Sequence, residues 1–176
     1  MHKAVILDRD GTLNEDKDYV YKTEDFKLLP GVIEGLKLLS KDFIFVIITN
    51  QSGIGRGVYT EEDMHKFNEK LIDELKKENI EIKKIYFCSH IPEDNCDCRK
   101  PETKNIQQAR RDFDIDVEKS WIIGDHPSDI ELGKRMGTRA VYLLTGHGKK
   151  HSEGLAKPDF IAENFMEAAK FIIKND

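Results

Sequence analysis

The sequence predicts a doubly wound α/β fold with a parallel sheet, and three observations predict it. Short apolar runs alternate with amphipathic stretches along all 176 residues. The runs are nearly continuous in Ile, Val, Leu and Phe, the pattern of strands buried on both faces and therefore of a parallel sheet covered by helices. Polar residues of catalytic type recur directly after the runs, where open parallel sheets place their ligands.

The elements follow in order. A strand over 3–7 ends in Asp8-Arg9-Asp10-Gly11-Thr12. A helix over 31–40 is opened by Pro30-Gly31. The apolar run 43–48 reads as the second strand and ends in Thr49-Asn50-Gln51-Ser52-Gly53. A helix over 60–79 carries an N-cap signal, Thr60 with Asp63 three residues on,. The third strand, 83–88, ends in Cys88-Ser89-His90, and a helix over 103–113 follows. The fourth strand, 120–124, ends in Gly124-Asp125-His126. The next helix, 127–137, is closed by Gly137,. A strand over 139–144, a weaker one near Asp159-Phe160-Ile161 and a helix over 163–174 complete the chain. No repeat, linker or low-complexity tract divides it, so residues 1–176 are expected to form a single domain with a real core,.

With 35% charged residues and a net charge of -5, the surface is densely charged and does not suit nucleic acid or an acidic membrane,. An anionic ligand must be held by local cations. Met1-His2-Lys3 leads straight into the first strand, and no apolar run approaches the roughly 20 residues that span a bilayer. The expectation is a soluble, cytoplasmic, monomeric protein with no nucleic-acid or membrane partner.

Four successive strand ends bring polar groups to one edge of the sheet, which points to a site. Of the paired carboxylates after the first strand, one suits a nucleophile and the other proton transfer. Gly11 permits a sharp turn and close approach to a ligand. Cys88-x-His90-x5-Cys96-x-Cys98 supplies three thiols and an imidazole within one loop, a complete set for tetrahedral zinc. The alternative is three buried free cysteines beside an incidental histidine. Pro92, Glu93, Asp94 and Asn95 make an apolar core there a poor fit. With four protein ligands and no open position, the zinc is expected to be structural, tying a short loop that delivers Arg99 and Lys100.

Asp8-Arg9-Asp10-Gly11-Thr12, Thr49-Asn50, Lys100, and Gly124-Asp125 with Asp129 together resemble the four motifs of the haloacid dehalogenase superfamily. Within it, two groups are similar. Thr49-Asn50-Gln51-Ser52-Gly53-Ile54-Gly55-Arg56-Gly57 resembles the D,D-heptose 1,7-bisphosphate phosphatases, and Cys96-Asp97-Cys98-Arg99-Lys100-Pro101 is shared with the histidinol-phosphate phosphatases. The resemblance implies a Rossmann-like domain of haloacid dehalogenase type. Only about 40 residues separate the first two motifs, so no large cap domain is expected.

It also implies roles. Asp8 is the nucleophile and Asp10 the acid and base. Thr49 and Lys100 hold the phosphoryl oxygens. Mg²⁺ is held by the Asp8 and Asp125 carboxylates and the Asp10 main-chain carbonyl. Asp129 orients Lys100 or a metal-bound water. Asp16, Lys17, Asp18 and Tyr19 resemble a substrate-contacting loop, and Asn50 belongs with the substrate contacts. Gln51 and Ser52 reach sugar hydroxyls, and Arg56 and Arg99 hold a second phosphate. His126 stands where some heptose phosphatases carry Lys; it either donates a hydrogen bond in the site or caps the loop. Trp121 is assigned to the core, and His65, His147 and His151 to the exposed surface.

The substrate implied is a small phosphorylated sugar, a heptose 1,7-bisphosphate cleaved at its 7-phosphate. The short cysteine loop instead resembles the histidinol-phosphate enzymes, which stay as the alternative. A polynucleotide 3′-phosphatase is disfavoured by the net charge. A non-catalytic zinc-bearing interaction module is the reading from another class.

Overall fold

The computed structural model describes residues 1–152 and 155–176. Its strands are β1 Ala4–Leu7, β2 Ile44–Asn50, β3 Ile82–Cys88, β4 Trp121–Gly124, β5 Arg139–Leu143 and β6 Phe160–Ala162. The helices are α1 Val32–Leu39, α2 Ser52–Gly55, α3 Glu61–Lys77, α4 Lys104–Phe113, α5 Pro127–Met136 and α6 Phe165–Asn175. All strand pairs are parallel, in the order β3-β2-β1-β4-β5-β6.

Successive strand residues feed two opposite layers, as the period of a pleated strand requires. Val5, Leu7, Phe45, Ile47, Trp121 and Ile123 pack with Leu36 of α1 and Ile172 of α6. Ala4, Ile6, Val46, Ile48 and Ile122 pack with Ile106 of α4 and Ile130 of α5. This double burial is why the strands read as unbroken apolar runs. The chain lays β2 and β3 on one side of β1, then crosses to lay β4, β5 and β6 on the other. That reversal opens a crevice beyond the ends of β1 and β4. The connections β1–β2 and β2–β3 hold loops, a 3-10 turn at Thr23–Asp25, α1, α2 and α3, so no large cap covers it.

Local chemistry sets the element ends. The α3 cap is reciprocal: Asp63 N–H donates to Thr60 Oγ1 at 3.1 Å, and Thr60 N–H to Asp63 Oδ2 at 2.9 Å. Two differences from the sequence reading have clear causes. β2 extends past the expected 43–48 because Thr49 and Asn50 pair with Phe87 and Cys88. The Gly-rich stretch after it, outside the helices expected from the sequence, closes into the short helix α2, with Arg56 N–H donating to Ser52 O at 3.0 Å. Among the described residues, no helix is long and apolar enough to cross a membrane.

Candidate active site

The C-terminal ends of the strands enclose a cleft of about 350 Å³, lined by Asp8, Asp10, Thr49, Lys100 and Asp125 among others. Lys100 is its central cation and is 4% exposed. Its Nζ lies 2.8 Å from Asp8 Oδ1 and 2.7 Å from Asp129 Oδ1. Burial alone would depress this ammonium, but the charges of Asp129 and Asp8 outweigh it and hold it above the ordinary lysine range. Asp8 behaves oppositely. Burial lifts its carboxyl to about 6, with Asp129 and Asp10 adding and Lys100 opposing. Asp125 is pushed to about 8, first by burial and then by Asp8 and Asp129.

Carboxylate oxygens of Asp8, Asp125 and Asp129 lie within 4.8 Å of one another. One lysine does not neutralise three clustered acids, two of them buried and Asp8 half-buried, and hard oxygen donors at this spacing suit a divalent cation such as Mg²⁺. The Asp10 carbonyl oxygen accepts none of the backbone hydrogen bonds of the following turn, which leaves it free as a further donor. Gly11 has φ +76, and a Cβ there would sit 2.1 Å from Asp125 Oδ2. A side chain at this position would fill the pocket.

The Asp10 side chain points into a different network. Its Oδ1 accepts from Arg9 Nε at 3.0 Å and Asn14 Nδ2 at 2.8 Å. Its Oδ2 accepts from Arg9 Nη2 at 2.8 Å and Gln51 Nε2 at 2.9 Å. Arg9 is fully buried. It also donates to Asn68 Oδ1, Val20 O and Gln51 Oε1, and its guanidinium lies 4.7 Å from the centre of the Phe67 ring. Sequence reasoning assigned Arg9 no role. No local signal marks it: a cation beside two carboxylates at a strand end looks like any surface charge, and only the assembled network saturates its guanidinium and makes its burial tolerable.

Lys100 is seated by its own backbone. Asn50 Oδ1 accepts from Lys100 N–H at 2.9 Å, and Asn50 Nδ2 donates to Lys100 O at 3.2 Å. Just upstream, the sulfur of Cys88 lies 3.5 Å from that of Cys96 and 3.0 Å from that of Cys98, and Cys96 and Cys98 are 3.6 Å apart. His90 Nδ1 is 3.3 Å from Cys98 Sγ and 3.6 Å from Cys88 Sγ. A zinc–sulfur bond of about 2.3 Å implies tetrahedral edges near 3.8 Å, so the four donors fit such an ion with small outward shifts.

The HAD-hydrolase-like family model matches residues 97–168. The D-glycero-alpha-D-manno-heptose-1,7-bisphosphate 7-phosphatase of Campylobacter jejuni is 44% identical over 149 residues, 84% of this chain and 86% of the relative. The D-glycero-beta-D-manno-heptose-1,7-bisphosphate 7-phosphatase of Haemophilus ducreyi is 35% identical over 97% of this chain and 98% of its own. The chain belongs to the heptose-1,7-bisphosphate 7-phosphatase family of the haloacid dehalogenase superfamily. A similar solved structure is D,D-heptose 1,7-bisphosphate phosphatase from B. bronchiseptica, complexed with magnesium and phosphate. It has a TM-score of 0.91 and 29% identity, over 99% of both chains.

Against this family background, the remaining predicted residues divide. Asp16, Asp18, Tyr19, Asn50, Gln51, Ser52 and Arg99 line the cleft. Gln51 is 2% exposed, and its amide is taken up by Asp10, Thr49, Arg9 and Tyr59. It braces the acid rather than facing outward. Asn50 likewise spends its amide on Lys100.

Lys17 and Arg56 do not line the cleft. Lys17 faces solvent beside Glu15 at 3.8 Å, and the turn after α2 carries Arg56 outward to within 3.9 Å of Glu93. His126 caps α5: Ser128 N–H donates to its Nδ1 at 3.2 Å, and desolvation, with His151 adding, pulls its imidazole down to about 4. Its ring still borders the cleft, as do His147 and His151. The surface assignment of those two is therefore corrected. The segment after β5 folds back over the site, a turn that no local pattern announced.

Proposed function

We propose that this chain is a Mg²⁺-dependent phosphoric monoester hydrolase that removes the 7-phosphate of D-glycero-D-manno-heptose 1,7-bisphosphate. The observation that carries the reading is a nucleophile-and-lysine pair, Asp8 and Lys100 at 2.8 Å, in a cleft whose second acid, Asp10, is held apart in its own network. Family membership supports the sugar. The interaction-module alternative gives these groups nothing to do.

An Asp8 carboxylate oxygen attacks phosphorus, and the bond from phosphorus to the sugar oxygen breaks. Asp10 gives its proton to that leaving oxygen. A water then attacks the aspartyl-phosphate, Asp10 takes the water's proton, and the bond to Asp8 breaks to free phosphate and the carboxylate. Thr49 and Lys100 hold the phosphoryl oxygens as charge shifts between them. Asp129 keeps the Lys100 ammonium aimed, and Arg99 meets the second phosphate. Asp8, Asp125 and the Asp10 carbonyl would hold Mg²⁺, which when bound supplies positive charge that favours the ionised nucleophile and screens the incoming phosphate.

Cys88, His90, Cys96 and Cys98 bind a structural zinc in this reading, and the knot sets the path of Arg99 and Lys100. Purified protein is expected to contain about one zinc per chain. Cys96→Ser should lower Tm by roughly 10 °C and raise KM. Elemental analysis without zinc in protein never exposed to chelator would contradict the assignment.

The chain acts as a single domain and as a cytoplasmic monomer. Among the described residues only four large apolar side chains, those of Met1, Tyr19, Val58 and Ile161, are exposed, which supports the monomeric state,.

Phosphate release from the heptose bisphosphate and from histidinol phosphate tests the substrate. The bisphosphate should have the higher kcat/KM by about 10²-fold or more. A higher kcat/KM for histidinol phosphate overturns the sugar assignment and leaves the phosphatase chemistry standing.

A further inference from the structure

We propose that His147 is a positioning residue: it holds the Asp16–Tyr19 wall of the cleft in register with the Asp125 carboxylate, so that a hydroxyl-bearing phosphate ester meets both together. The role toward substrate rests on the phosphatase reading above; the clamp itself does not.

The backbone of residues 145–147 is seated on the reaction centre. Thr145 Oγ1 donates to Gly11 O at 2.6 Å. Gly146, with φ +49, passes so close that a Cβ there would lie 2.3 Å from Asp125 Oδ2 and 2.5 Å from Gly11 Cα. The His147 N–H donates to Asp125 Oδ2 at 2.8 Å. From that anchored position the imidazole reaches the loop, its Nε2 lying 3.1 Å from Asp16 Oδ2 and 3.4 Å from Asp18 Oδ1. One residue thus touches the acid of the fourth strand through its main chain and two acids of the first loop through its side chain.

The loop needs an external hold. Asp18 and Tyr19 both have φ 58, two consecutive non-glycine residues in the left-handed region, where a Cβ is crowded and the conformation persists only when its surroundings hold it. Local support is one hydrogen bond, Asp18 N–H to Asp16 Oδ1 at 2.9 Å. The far end is fixed by Arg9 donating to Val20 O and by Tyr21 stacking on Tyr59. At the near end, two carboxylates face a cleft that already holds Asp8, Asp10 and Asp125. A donor shared between Asp16 and Asp18 lets both stay there. The wall so held offers carboxylate acceptors and a phenol ring, chemistry suited to the hydroxyls and C–H faces of a polyol.

Hydrogen exchange and kinetics on His147→Ala and His147→Gln test the clamp. Amides of residues 15–22 should exchange about tenfold faster in His147→Ala, and His147→Gln, which keeps a donor, should restore most of the protection. KM for the heptose bisphosphate should rise in His147→Ala by about fivefold more than KM for p-nitrophenyl phosphate, with kcat falling less than KM rises. Unchanged exchange in His147→Ala overturns the clamp whatever the activity. Absence of rescue by His147→Gln overturns the donor role. Equal KM effects on the two esters overturn the link to hydroxylated substrate. If the unmodified protein hydrolyses no sugar bisphosphate, the phosphatase reading falls and the exchange result still decides the clamp.

Discussion

Asp8→Asn is expected to lower kcat by about 10³-fold or more without harming the fold. An amide is a poor nucleophile and a poor ligand for a hard cation, so both the attacking atom and part of the charge compensation are lost. Stability should move the other way in metal-free protein. The Asp8 carboxyl is raised to about 6 in the folded state, above its ordinary value of 3.8. Its charge therefore opposes folding, increasingly as pH rises from about 4 and fully above about 6. Removing that charge at pH 7 should leave Tm equal or higher. Metal-free Tm together with phosphate release checks both parts, and near-normal turnover by a folded Asp8→Asn protein would refute the covalent mechanism.

Arg9→Met is expected to destabilise the protein by about 3–5 kcal/mol, the usual effect of breaking a buried ion pair from one side. The methionine fills the space over Phe67, but two of the four donors to Asp10 vanish, and Asn68 Oδ1, Val20 O and Gln51 Oε1 each lose a donor. A fall in Tm of about 10 °C or more is expected, with loss of turnover as Asp10 leaves its fixed orientation. Denaturant unfolding and kinetics measure the two effects separately. A Tm within about 2 °C of the parent would show that Arg9 is not the keystone of this network.

The two residues illustrate what is readable along a chain. Asp8 and Asp10 stand out in the sequence because they end an apolar strand, and Thr49 and Asp125 because they end or follow others, whereas Lys100, well past the end of β3, stands out only through the family motif it resembles. Arg9 sits between them yet looks like an ordinary surface cation. Its burial depends on Asn68 of α3 and Gln51 after β2, partners 59 and 42 positions away. Gln51 itself read as a sugar contact for the same reason: its four partners come together only when β1, β2 and the turn before α3 are assembled. Arg56 and Lys17 have the right charge for a phosphate but face away from the cleft, because the turn after α2 and the loop after β1 carry them outward. His147 offered no local pattern, and its placement depends on a backtrack of the chain after β5.

The sequence by itself determined the layered α/β architecture, most element positions and the cysteine–histidine loop. Burial on both faces forces unbroken apolar strands, helix caps need particular residues at their first turn, and ligand-rich loops concentrate their donors within a few positions. Only the tertiary structure decided the strand order, the burial of Arg9 beneath Asp10, the bracing of Lys100 by Asn50 and the seat of His147 across Asp125 and the Asp16–Tyr19 loop. Most of those contacts join residues far apart along the chain, in loops that follow different strands, and a hydrogen bond between distant groups has no period and no local composition by which a sequence could announce it.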